Sequence, residues 1–563
     1  MQSYPTLRRL LALAATVVVF AGVLTAVAWS RRAADTDNAR PEGPAADGKV
    51  WPMFGGSASR DMINTFEKDT PTEWDVMEGE QKHVKWTADL GDRAYGGPVI
   101  ADGKIFIGTN NKNPRNPRDR DKATHEPLDK GIMMCFRESD GKFLWQAVHD
   151  KLAAGRVNDW PEEGICSTPV VEGKRVWYVS NRAEVVCADT EGFLDGKNDG
   201  AQDEKYKGKT DADFLWRYDM IKELNVFPHN LATSSPLIVG DLLFVVTSNG
   251  VDEGHIDIPE PKAPSFICLN KNTGKLVWQN NFPSVKLVEA REKNGDVRTK
   301  DLSNKGIVLM HGQWSSPVYA EVHGKGQVVF PGGNGWLYAF EPATGKLLWK
   351  FDCNRKDSFY ELGGRGTRSD FVATPVVHQG KLYIGVGQDP EHKEGVGHLW
   401  CIDLVKATEK GATNKDNDVS PRGDDFDPNA EVNKDSALHW HFGGAKKGGG
   451  RYPYVFGRSM SSCAVNDGLC YAVDLGGHLH CLDADTGKEY WQHDMEAACW
   501  TSPYWVDGKV YLGNDNGEVL IFQHGKEKKL LNTIDMGGAI RATPVVANGV
   551  LYVMIENKLY AIK

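Results

Sequence analysis

LNKNTGKLVW (269–278), FEPATGKLLW (340–349) and LDADTGKEYW (482–491) are near copies of one phrase, and FRESDGKFLW (136–145) is a looser copy. A second phrase precedes them: a small residue, Ser or Thr, then Pro, an apolar run, a Gly turn and another apolar run. STPVVEGKRVWYVS (167–180), ATPVVHQGKLYIGVG (373–387) and ATPVVANGVLYVMI (542–555) carry it. Self-similarity of this kind marks a repeat architecture, in which each unit buries its apolar face against the next.

Aligned on the opening Pro, the chain divides into eight units. They open at Pro98, Pro169, Pro236, Pro317, Pro375, Cys463 (in place of Pro), Pro503 and Pro544. The last two openings stand about 40 residues apart, room for four short strands. Pro opens strand A. A turn such as Asp507-Gly508 leads to strand B, where alternation as in Val510-Tyr511-Leu512 buries one face. Strand C follows, and the Thr-Gly-Lys turn joins it to strand D, which ends near the Trp. The eighth unit stops at strand C, and a spare D-like strand containing Trp86 lies at 83–90. Pairing the two closes a ring and leaves no open sheet edge. The expected fold is all-β, an eight-bladed β-propeller over 51–563 closed by strand 83–90.

Residues 10–29, LLALAATVVVFAGVLTAVAW, form an uncharged run flanked by Arg8-Arg9 and Arg31-Arg32. A helix of about 20 residues crosses the hydrocarbon of a bilayer. We therefore expect a cytoplasmic segment 1–9, a transmembrane or signal helix at 10–30, a polar linker at 31–50 and a propeller on the periplasmic side. Ala26-Val27-Ala28 offers a cleavage site, which would release the propeller instead. The net charge is −10 and no polybasic run occurs, so bulk nucleic-acid binding is excluded.

The repeated phrase resembles the tryptophan-docking motif of quinoprotein β-propellers: Cys481, Asp483, Thr486, Gly487, Lys488, Trp491, and again Ala339, Glu341, Thr344, Gly345, Lys346, Trp349. The opening Trp51-Pro52-Met53-Phe54-Gly55-Gly56 is similar to the start of many bacterial PQQ-like repeat proteins. The resemblance implies Trp residues packed between blades. It spans PQQ dehydrogenases and non-catalytic members of the outer-membrane assembly type. Adjacent cysteines and a Cys-x-x-Cys-His haem motif, features of the family's alcohol dehydrogenases, are absent from this sequence. The non-catalytic type is the closer match, with no cofactor; PQQ with Ca²⁺ belongs to the alternative. Cys135, Cys187, Cys268, Cys401 and Cys481 recur at one place in strand C and read as core.

Propeller topology gathers the D-to-A and B-to-C connections on one face, and the long insertions there (111–131, 251–264, 388–397, 281–311, 353–371 and 443–458) contrast with short Thr-Gly-Lys turns. Binding is expected on that elaborated face. Residues just before each strand A should ring the channel mouth: Arg93, Tyr95, Asp159, Trp160, His229, His311, Gln313, Trp314, Arg365, Arg368, Asp370, Arg458, Glu496, Trp500 and Arg541. Five Arg suit an anion, and the aromatic faces suit a planar ring or a sugar. The resemblance implies that in true quinoproteins the quinone, itself a planar tricarboxylate, binds at this mouth. Asp389, Glu391, His392 and His398 form a candidate metal-ligand loop. The function this points to is an exported, membrane-anchored, non-catalytic scaffold of the cell envelope that binds other envelope proteins or a small anionic or planar ligand. The alternative is a PQQ- or metal-dependent oxidoreductase acting on alcohols or sugars.

Overall fold

The computed structural model describes residues 50–284, 309, 311–355, 358, 366–421, 433–450 and 452–563. Among the described residues no helix is long and apolar enough to cross a membrane. The expected helix at 10–30 lies outside them.

Eight sheets form the propeller. Blade 1 joins strand A at Val99–Ala101, B at Lys104–Asn110, C at Lys130–Arg137 and D at Phe143–Asp150, antiparallel in that order. The A strands of blades 2 to 8 begin at Val170, Leu237, Val318, Val376, Ala464, Tyr504 and Val545, each one residue past an aligned opening. Pro suits that entry because its missing N–H falls at a strand start. Blade 8 takes its D strand from the other end of the described chain: Val84–Asp89 pairs antiparallel with Lys558–Ile562, placing Trp86 opposite Ala561. The ring closes as the spare strand predicts.

Seven D strands carry a Trp, and blade 7 (Leu530–Asp535) carries none. Six of these indoles donate Nε1–H to a carbonyl of the next blade. Trp86 reaches Glu138 (3.1 Å), Trp145 Thr190 (2.9 Å), Trp216 Lys271 (3.1 Å), Trp278 Pro342 (2.8 Å), Trp440 Ala484 (2.9 Å) and Trp491 Gly525 (3.1 Å). The Thr-Gly-Lys turn is shaped to receive the ring. Gly345 and Gly487 hold φ of +67° and +69°, and a Cβ there would come within 2.6 Å of Trp278 and 2.7 Å of Trp440. Glycine is thus required twice, for the left-handed backbone and for the close approach. The acid of the phrase caps the same turn: Asp483 Oδ1 accepts both the N–H and the hydroxyl of Thr486, each at 2.9 Å.

Across strands C and D the Trp faces a small residue. Cys135 pairs with Trp145, Cys187 with Trp216, Cys268 with Trp278, Cys401 with Trp440 and Cys481 with Trp491; Ala takes the place opposite Trp349 and Trp86. These five cysteines are buried free thiols. Burial pushes the Cys268 and Cys481 thiols up to about 12, which suppresses the reactive thiolate.

Two expectations need correction. Not every C-to-D connection is short: blade 2 uses 190–213, and blade 5 uses 404–437 with a helix, Leu404–Thr413. Neither blade carries the Thr-Gly-Lys phrase. The helix of blade 5 takes the place of that turn: Gly411 packs over Trp349, which donates instead to Gln327 Oε1 on its own blade (2.6 Å). Segment 443–458 is likewise not a plain loop, because Tyr454–Phe456 adds a fifth strand to blade 5.

Residues 51–64 follow the inner edges of the A strands. Trp51 exchanges both backbone hydrogen bonds with Ile100 of blade 1. Pro52, Ala58, Ser59 and Met62 accept N–H groups from Val171, Tyr319, Val377 and Trp505, in blades 2, 4, 5 and 7, at 2.8–3.0 Å. Asn64 donates its side-chain amide to Val546 of blade 8. Arg60, fully buried, donates to the carbonyls of Phe54, Ser235, Pro236 and Pro317. Burial lowers its pKa to about 9. Inner strands of a propeller otherwise point unpaired backbone groups into the channel. This segment satisfies them and closes the channel from below.

Candidate funnel at the channel mouth

Above that floor lies a cavity of about 460 Å³. Trp51, Phe54, Gly55 and Met62 form its base, and the residue before seven of the eight blade openings contributes to the wall, as Gly97, Thr168, Ser235, Ser316, Thr374, Ser502 and Thr543. The repeated Ser or Thr has a physical role there. Five of these hydroxyls accept the N–H of the equivalent residue one blade back: Gly97 to Thr168 (2.9 Å), Thr168 to Ser235 (3.1 Å), Ser235 to Ser316 (2.9 Å), Ser462 to Ser502 (3.0 Å) and Ser502 to Thr543 (2.9 Å). Sequential hydroxyls stitch neighbouring blades and leave an even wall.

Tyr95, Trp160, Trp314 and Trp500 stand half-buried at the mouth. Each is anchored from behind. Trp314 Nε1 donates to His229 O (3.1 Å), and Trp500 Nε1 to Asp515 Oδ2 (3.2 Å). Arg156 stacks on Trp160 at 4.0 Å, and Arg541 covers Tyr95 at 5.6 Å. Glu163, Asp389, Glu391 and Asn230 complete the polar lining.

Of the fifteen mouth positions read from the sequence, Tyr95, Trp160, Trp314, Trp500 and Arg541 line the funnel. Arg93 pairs with Glu163 behind the wall at 2.8 Å. Arg368 is buried against Asp352 (3.7 Å). Arg458 donates to the carbonyls of His392 and Lys393 and to Gln388, clamping the B-to-C loop of blade 5. Asp159 is tied to Lys151 and Asn181, Gln313 donates to Asn249 O, and Glu496 faces solvent. Arg365 lies outside the described residues. Among the described residues the predicted convergence of arginines is therefore not found: of the four described, Arg541 alone reaches the cavity, and it already pairs with Asp515 (3.4 Å) and Glu556 (3.0 Å). The reason is that a loop's buried carbonyls and acids claim the guanidinium donors first.

His229, His311 and Asp370 instead join a polar cluster beside the funnel. Asp389, Glu391 and His392 meet them from blade 5, and His255 from the B-to-C loop of blade 3. His398 does not; it pairs with His441 at 2.8 Å. His229 Nε2 lies 3.2 Å from His311 Nε2, and the His255 and His311 rings stack with centroids 4.4 Å apart. His311 sits 3.6 Å from Asp389 and 3.5 Å from Glu391. Burial, then the neighbouring His311, lowers the His229 pKa to about 3. Burial opposes protonation of His311 too, but Glu391, Asp389 and Asp370 outweigh it and raise its pKa. The Asp370 carboxyl is pushed up, first by burial and then by Asp389. Burial resists ionisation of Asp389, yet His392 and His311 hold its carboxyl down. The sequence reading missed His255, Glu163 and the floor residues. Nothing in a lone loop His signals that two other blades bring imidazoles to meet it.

The family model described as outer membrane protein assembly factor BamB matches residues 213–404 and 430–527, just over half of the chain. The chain belongs to this BamB family. A quinohemoprotein alcohol dehydrogenase from Pseudomonas putida HK5 superposes with a TM-score of 0.57 at 13% identity, covering 94% of this chain and 82% of that one. BamB from Moraxella catarrhalis gives 0.46 at 13% identity, over 84% and 95%. Both likenesses concern fold. No curated protein matches the sequence.

The matched BamB-family region runs from the D strand of blade 2 to the C strand of blade 7 and contains the whole histidine cluster. Among the described residues, the funnel lining does not suit the quinone of quinoprotein dehydrogenases. A planar tricarboxylate needs convergent cations, and the lining offers one paired Arg541 against Glu163, Asp389 and Glu391.

Proposed function

We propose that this chain is a non-catalytic binding propeller of the cell envelope whose funnel holds a neutral, ring-shaped ligand, with sugars the class that fits best. One observation carries the reading: four half-buried aromatic faces surround a blind cavity of about 460 Å³ whose polar lining is a ring of Ser and Thr with Glu163, Asp389, Glu391 and Asn230. Aromatic faces stack on the C–H faces of a sugar ring, and Glu163, Glu391 and Asn230 accept or donate to its hydroxyls. Placement in the envelope is supported by membership of the BamB family and by the uncharged run at 10–29. Family membership also favours a second role, docking of other envelope proteins on the loop-bearing face.

The test is a tryptophan-fluorescence titration of the purified protein with a panel of neutral mono- and oligosaccharides and, in parallel, with PQQ plus Ca²⁺. Saturable quenching by a neutral sugar supports the proposal. Retention of PQQ through gel filtration, with no sugar response, would overturn it in favour of the oxidoreductase.

A further inference from the structure

The geometry points to a binding site for one divalent transition-metal ion of the zinc class, held by His229, His255 and His311 with Glu391 as fourth ligand. This site stands whether or not the funnel takes a sugar.

His229 Nδ1 lies 2.8 Å from the carbonyl oxygen of Val251, which can only accept, so Nδ1 carries the proton and Nε2 presents a lone pair. That lone pair faces His311 Nε2 at 3.2 Å. On its other side His311 Nδ1 faces Asp389 Oδ2 at 3.6 Å and has no hydrogen-bond partner. Asp389 is itself held by His392 Nδ1 (2.8 Å) and by the N–H of Glu391 (2.8 Å). A carboxylate behind one imidazole and a carbonyl behind the other are the usual orienting partners of metal-bound histidines. They leave two nitrogens pointing at one spot.

The spacing fits an ion. Tetrahedral Zn²⁺ with ligands at about 2.0–2.1 Å sets neighbouring ligand atoms about 3.3–3.4 Å apart. His229 Nε2 to His311 Nε2 is 3.2 Å, and His311 Nε2 to Glu391 Oε2 is 3.5 Å. The third imidazole is at hand: the ligand atoms of His229, His255 and His311 all lie within 4.8 Å of one another. His255 Nε2 is buried without a hydrogen-bond partner, and a tilt of its ring out of the stack on His311 brings it to the ion. His229 and His311 are 1% and 2% exposed, so these nitrogens have little water to satisfy them. Three neutral imidazoles with a carboxylate suit Zn²⁺, Co²⁺ or Cu²⁺ rather than Ca²⁺, which prefers oxygen. Glu391 also lines the funnel, so the ion would sit in its wall.

The experiment uses full-length protein stripped with a chelator, then titrated with Zn²⁺ against a chromophoric competitor and with Co²⁺ followed by its visible d–d bands. We expect one ion per chain. His255→Ala, the half-buried member, should fold normally and lose the Co²⁺ bands, and His229→Ala should lose binding. Asp389→Asn, which removes an orienting partner only, should weaken affinity about 10- to 100-fold. His398→Ala should bind as the parent does. Absence of stoichiometric Zn²⁺ or Co²⁺ in the parent would overturn the assignment. So would unchanged binding in His255→Ala and His229→Ala, or loss of binding in Asp370→Asn with retention in His229→Ala.

Discussion

Two sets of tryptophans occupy this propeller, and they differ in what surrounds them. At the rim, Trp145 is fully buried, with its N–H on the next blade and a cysteine across the strand. At the mouth, Trp500 shows one face to a cavity and rests its edge on Asp515. Six rim indoles repeat one contact, whereas no two mouth residues have the same surroundings. The repeated contact holds blade to blade at six of the eight junctions, so those units share its chemistry. The mouth carries no such obligation, and there the loops diverge. Fold is written in what recurs along the chain, and binding chemistry in what does not.

That contrast can be broken at graded strength. Trp278→Ala removes a buried indole and its hydrogen bond to Pro342. It should cost about 3–5 kcal/mol in chemical denaturation. Arg60→Ala strips the donors from four inner carbonyls. We expect a loss of about 3 kcal/mol, read the same way, together with faster proteolysis near residue 51. Gly345→Ala forces a Cβ into Trp278 and onto a left-handed backbone. About 1–3 kcal/mol should go, with a shift in tryptophan emission. Thr168→Val deletes a single hydroxyl acceptor between blades 1 and 2. A cost of about 1 kcal/mol is expected, and local hydrogen exchange at Gly97 should rise. An equal loss from all four would mean that the rim has no special weight.

The ring was legible because its parts are local and periodic. The eight openings, the Thr-Gly-Lys turn and the orphan strand around Trp86 each follow from strand spacing and turn chemistry, and the structure seats them accordingly. The exceptions were legible only in part: blades 2 and 5 lack the turn phrase, but its absence does not say that a helix at Leu404–Thr413 takes its place. The mouth was half-readable. Aromatics before strand A reached the funnel, because bulky faces have few alternatives there. Arginines did not, because Arg458 and Arg368 found carbonyls and Asp352 nearer than the cavity. Contacts that join distant loops, such as His255 on His311, leave no trace in local sequence.

The most direct measurement is a paired denaturation series on Trp145→Ala and Trp500→Ala. The account predicts a loss of about 3–5 kcal/mol for Trp145→Ala. It predicts less than about 1 kcal/mol for Trp500→Ala, with ligand-induced quenching abolished in that variant alone. Comparable destabilisation by the two substitutions, or undiminished quenching in Trp500→Ala, would contradict it.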